Sequence, residues 1–143
     1  MFVHKREVPQ SLLVPEYDHV HHADIVALLE KGRLALLENI GHPQDSLVAR
    51  GLFPVITGLE VRFLREIREG GINVTCEDIV VEGRYIRMNQ RITRPATLKP
   101  GNVSQERDKD LVKASIELMV IDKSVGKGIA IPEFLKESLI RGS

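Results

Sequence analysis

The chain has a single cysteine, Cys76, so no internal disulfide can brace it, and a reducing cytoplasm is the simplest setting. It has no surplus of either charge: twenty Lys and Arg stand against twenty Asp and Glu. That balance argues against a nucleic-acid binder, whose domains are usually strongly basic. No apolar run approaches the roughly eighteen residues of a membrane span. The opening MFVHKREVPQ lacks the apolar core of an export signal, so a cytoplasmic protein is expected. There is no internal repeat and no low-complexity tract, and no histidine follows His42. What remains is 143 residues with 43% hydrophobic content, read as one domain over residues 1–143 and large enough for a core.

The stretch EYDHVHHADIVALLEKGRLALLENI organises the rest: a knot of acids and histidines opens a long apolar helix. From Ala23, the residues Ile25, Val26, Leu28, Leu29, Leu36 and Leu37 recur at spacings of three and four, and Ala27 and Ala35 widen the stripe. About eighteen residues at roughly 1.5 Å each give a rod about 27 Å long, the width of a small domain, so it belongs at the centre. Asn39, Gly41 and Pro43 end it. Glu30, Lys31 and Arg33 fall on its less apolar side, where Glu30 and Arg33 are spaced to pair.

Around this rod the pattern has period two. Residues 2–8 make a short strand, 41–51 a connection, and 52–64 a long strand with a kink at Gly58. In that strand Val55, Thr57, Leu59, Val61 and Phe63 share one face. After the turn at Glu69 to Gly71 come strands at 72–81 and 84–93, joined at Glu82 and Gly83; Ile86, Met88, Gln90 and Ile92 face one way. Residues 94–110, rich in charge with Pro and Gly, read as a mobile loop. A strand at 111–122 turns Val112, Ala114, Ile116, Leu118 and Val120 inward. A last short strand at 129–131 and a helix at 133–140, with Pro132 in its first position, close the chain. Strands joined by tight turns are antiparallel neighbours. One helix this apolar must be covered by the sheet they form, so the fold class is α+β, an antiparallel sheet wrapped around one long central helix.

His19-Val20, followed by Glu30 and Arg33 in the helix, resembles the opening motif of the hotdog-fold thioesterases of the 4-hydroxybenzoyl-CoA thioesterase type. In that motif an Asp and a Gly-His-Val-Asn-Asn run precede a helix with a Glu-x-x-Arg step. Residues 61–71 resemble the strand and turn after that helix, and Ile131, Pro132 and Glu133 the entry to the last helix. The resemblance implies a hotdog fold and hydrolysis of an acyl-CoA thioester to free acid and CoA, with coenzyme A part of the substrate and no separate cofactor. It also implies a site at the start of the helix, between two subunits of a homodimer or homotetramer. Two departures stand out: the motif's acid falls on Pro15, and its Asn pair is His21 and His22. Some members with short-chain acyl-CoA activity carry a histidine at the position of His22.

The chemistry can also be read from the residues. Water attacking a thioester builds negative charge on the carbonyl oxygen, and free N–H groups at a helix N-terminus, here near Val20 to Ala23, can receive it. The candidate catalytic residues are Glu16 or Asp18 as base, His22 or His19 as proton partner, and Glu30 on the helix. Each has a plain structural alternative: Asp18 as helix cap, His19 as a packing residue at the helix entry, Glu30 as the partner of Arg33. His21, next to His22, should point elsewhere. A metal held by Asp18 and the histidines is disfavoured, because two histidines four apart are absent. Cys76 alternates with apolar residues and reads as core. Arg62, Arg65, Arg68, Arg84, Arg87 and Arg91 could meet CoA phosphates by sign alone. The competing functions are hydrolysis from an acyl carrier protein, non-catalytic acyl binding, favoured by Pro15, and a hotdog dehydratase. The dehydratase is disfavoured because no second acid-histidine motif follows.

Overall fold

A computed structural model describes residues 1–95 and 109–142. In chain order these are β1 (Phe2–Val8), a 3-10 turn, β2 (Leu13–Val14), β3 (His19–Val20), α1 (His22–Asn39), α2 (Gln44–Ala49) and β4 (Leu52–Phe63). Then come β5 (Gly70–Glu82), β6 (Tyr85–Arg94), β7 (Lys109–Asp122), β8 (Lys127–Ile129) and α3 (Glu133–Gly142). The main sheet is antiparallel with the order β1-β5-β6-β7-β4, and β8 pairs with β7. α1 lies across β1, β5 and β6. The helix is therefore wrapped from one side of the sheet, as the strand pattern predicts.

The apolar stripe works as expected at Ile25, Leu28, Leu29 and Leu36, all buried. Two neighbours of that stripe, Gly32 and Arg33, are buried as well, Arg33 against expectation. Gly32 is where α1 comes closest to the sheet, since a Cβ there would stand 2.5 Å from Val74 Cγ1 and 3.2 Å from Gln90 Nε2. Arg33, expected on the outer side and paired with Glu30, is 7% exposed, and its Nη1 donates to Gln90 Oε1 at 2.8 Å. The reason lies across the interface: Gln90, expected on the inward face of β6 and completely buried there, needs a polar partner inside the core. Its Nε2 donates in turn to the Leu29 carbonyl at 3.0 Å.

The inward faces of β6 and β7 match the sequence pattern, with Ile86, Met88, Ile92, Val112, Ala114, Ile116 and Val120 buried and Leu118 half-buried. β4 behaves differently. It is the last strand of the sheet, while α1 lies mainly over β1, β5 and β6, and Ile56, Leu59 and Phe63 stay 43%, 41% and 50% exposed. Its kink is a register shift between Ile56 and Gly58.

Two of the expected segments need correction. The connection at 41–51 contains α2, whose Leu47 is buried; six residues are too few to reveal a helical period. The last strand ends at Ile129 rather than beginning there, because the turn closes early, with the Gly126 N–H on the Asp122 carbonyl at 2.7 Å. Ile131 leaves the ladder and its N–H bonds the Gly83 carbonyl at 2.9 Å. Most of the expected loop at 94–110 lies outside the described residues.

Candidate active site at the start of the central helix

β2 and β3 form a small hairpin whose tip, Pro15 to Asp18, stands just before α1. The tip closes on the Val14 carbonyl, which accepts from Tyr17 N at 3.1 Å and Asp18 N at 2.8 Å. Asp18 adopts a left-handed φ of 58°, a conformation Asp tolerates better than most residues. Asp18 does not cap the helix. His21 does: its backbone is extended, and its Nδ1 accepts from Ala23 N at 3.2 Å. An accepting Nδ1 places the proton of the neutral ring on Nε2.

His21 therefore precedes the helical turn rather than belonging to it, and the helical rule that separates neighbours does not apply. Its ring lies 4.0 Å from that of His22, centroid to centroid, and both line the same cleft. The expectation that His21 points elsewhere is overturned by this cap geometry. The expected row of free N–H groups is also shorter than the sequence suggests. Val20 N donates to the Ile67 carbonyl, Ala23 N to the His21 ring, and Asp24 N and Ile25 N to the His21 carbonyl. The His21 and His22 N–H groups are left without a hydrogen-bond partner among the described residues, and His22 is the one that belongs to the helix.

A cleft of about 520 Å³ lies at this helix start, with His21 and His22 in its lining. Val14, Val20, Ile25, Phe63 and Ile67 give it apolar walls, while Tyr17, His19, His21, His22, Arg65 and Glu66 bring polar groups. The His22 ring meets Phe63 edge-on at 6.3 Å, and Tyr17 stacks on His19 at 5.6 Å. Of the sequence candidates, His19 and His22 are in this lining. Glu16 and Asp18 sit exposed at the hairpin tip outside it, and Glu30 lines a different cavity further along α1. Glu66 is the carboxylate that the cleft does hold, with Arg68 Nη2 donating to it at 3.2 Å.

The connection after β4 supplies Arg65, Glu66 and Ile67, and no local pattern marks them in the sequence. The bond from Val20 N to the Ile67 carbonyl, 2.9 Å, draws that segment against the helix start. Among the basic candidates, Arg87 is held by Glu117 and Glu82, and Arg91 by Glu77 and Asp110. Arg65 remains at the cleft. The described residues contain no cluster of three or more His, Cys, Asp or Glu side chains able to hold a metal.

A family model described as the thioesterase-like superfamily matches residues 14–139. The chain belongs to that superfamily. Solved thioesterases share its architecture, the hotdog fold. A 1,4-dihydroxy-2-naphthoyl-CoA thioesterase from Synechocystis superposes with a TM-score of 0.79 at 11% identity, covering 97% of this chain and 95% of that one. A probable thioesterase from Escherichia coli gives 0.70 at 20% identity, covering 97% and 96%. A Staphylococcus aureus protein solved in complex with CoA gives 0.81 at 13%, covering 99% and 82%. No curated protein matches in sequence. No helix among the described residues is long and apolar enough to cross a membrane.

Proposed function

We propose that this chain hydrolyses acyl-CoA thioesters, with the acyl carbonyl lodged in the cleft at the start of α1. The observation that carries the proposal is the position of the unpartnered His22 N–H. It opens a helix of 18 residues beside an apolar wall, two other imidazoles and a carboxylate. A thioester carbonyl accepting from this N–H would gain as its oxygen becomes an oxyanion, helped by the positive end of the helix dipole.

Water activated by a carboxylate adds to the carbonyl carbon. The tetrahedral intermediate then collapses by breaking the C–S bond, and the proton taken up by the carboxylate passes through an imidazole to the departing CoA sulfur. Glu66 is the carboxylate in the cleft lining, and Glu16 and Asp18, exposed at the hairpin tip outside that lining, are the alternatives. His22 is the proton partner. Arg65 at the same cleft is the basic residue offered to the CoA phosphates.

We also propose a homodimer formed along β4. β1, the opposite edge, carries His4, Lys5, Arg6 and Glu7, charges that deter strand addition. β4 is twelve residues long with exposed Ile56, Leu59 and Phe63 and no described strand on its outer side. Phe63 also lines the cleft, so pairing along β4 would bring a second subunit next to the site.

Incubation with a series of acyl-CoA esters and a thiol reagent tests the hydrolase directly. Release of CoA that falls in at least one of Glu66→Gln, Glu16→Ala, Asp18→Asn and His22→Ala is the expected result. Equal rates in all four variants would overturn the residue roles. Pro15, standing where the related enzymes carry an acid, favours a second reading, an acyl-thioester-binding protein. Tight acyl-CoA binding with no turnover at any chain length would support that reading, and turnover confined to acyl carrier protein would change the substrate.

A further inference from the structure

Beyond the α1 cleft the chain encloses a second cavity, of about 340 Å³, between the C-terminal half of α1, the start of β4 and α3. Its lining is almost wholly aliphatic and includes Leu34, Val55, Met88, Leu118 and Leu135. The polar lining residues are Glu30 and Gln44, both exposed, and Arg33, which is 7% exposed and is the buried one. Among the described residues no carboxylate lies within ion-pair distance of its charge. Glu30, one turn before it, is exposed at the cavity rim and acts on it only through space.

The hydrogen-bond inventory is equally lopsided. Nη1 gives one bond to Gln90 Oε1, a neutral acceptor, and no described residue accepts from Nε or Nη2. No buried side-chain nitrogen or oxygen among the described residues lacks a partner, so those two nitrogens keep exposed surface rather than being sealed in protein, and the cavity is the one that Arg33 lines. A buried charge without a counter-charge is costly, by several kcal/mol on general grounds. Water can meet its N–H groups but not its charge. Nε and Nη2 form the edge of a guanidinium that a carboxylate engages through two parallel bonds.

We infer that this cavity is a binding site for an aliphatic carboxylate, its head on the open edge of Arg33 and its chain among Leu34, Val55, Met88 and Leu118. The volume lies at the small end of the range for ligand pockets, about 300–1,000 Å³, which selects a short or medium chain. The site stands apart from the α1 cleft: the two share no lining residue, and the inference does not depend on the hydrolase proposal.

Octanoate is the probe, with octanol and octylamine as controls of the same chain. In protein carrying 13C-methyl methionine, octanoate should move the Met88 methyl resonance saturably. Octanol and octylamine should bind at least tenfold more weakly. Arg33→Met should weaken octanoate at least tenfold while leaving octanol nearly unchanged. An unmoved Met88 methyl, or octanol binding as tightly as octanoate, would overturn the inference, and both readings come from the wild-type protein whether or not the variant folds. Octanoate binding that survives Arg33→Met but disappears in Phe63→Ala would place the ligand in the α1 cleft and overturn it equally.

Discussion

Burial in the core pushes the Cys76 thiol up to about 12, because a thiolate there would lose its hydration; the nearby Arg33 charge works the other way. Cys76 should therefore remain protonated across any assay pH and be closed to reagents. A disulfide reagent such as DTNB is expected to leave the native protein unmodified and to titrate one thiol in denaturant. Rapid labelling of the native protein would contradict the burial described for Cys76. The sequence shows this residue's role because alternation with apolar neighbours in a strand is a local signal. It does not show Arg33, since the burial of an arginine depends on what faces it, and Gln90 lies 57 positions later. His21 is hidden for another reason: histidine is an uncommon cap, and only its extended backbone takes it out of the helical spacing rule.

α1 is legible as a helix, to within one residue at its start, because its spacing and its Asn39-Gly41-Pro43 ending are local properties. Its closeness to β5 and β6 is not, and Gly32 sets it. Replacing Gly32 by Ala should help the isolated helix by about 1 kcal/mol. Against that, the new methyl meets Val74 Cγ1 at 2.5 Å, an overpacking that costs about 1–3 kcal/mol. The net expectation is a loss of stability, seen as a lower urea midpoint with an unchanged slope. A higher midpoint would mean that the helix and sheet have slack at this point. The short elements were out of reach of pattern reading: α2 buries only Leu47, and β2 and β3 are two residues each.

At the scale of the molecule, the antiparallel sheet around one helix follows from turn signals between strands, and this much the sequence carries. The inequality of the two sheet edges does not appear until strand order is known, because β4 reads like an interior strand and becomes an edge only through its pairing with β7. If β4 joins two copies, light scattering should give twice the 16.1 kDa of one chain, and Leu59→Lys should halve it. A monomeric wild type would remove the dimer. Assembly then completes the surroundings of the cleft at Phe63, which ties the whole-molecule question to the chemistry.

The most direct measurement is the rate of CoA release from short- and medium-chain acyl-CoA by wild type and Glu66→Gln under identical conditions. Removal of a general base at the α1 cleft should lower kcat/KM by about 10²-fold or more, with folding unaltered. A wild type that releases CoA no faster than buffer, or a Glu66→Gln rate equal to wild type, would contradict the placement of hydrolysis in that cleft through Glu66.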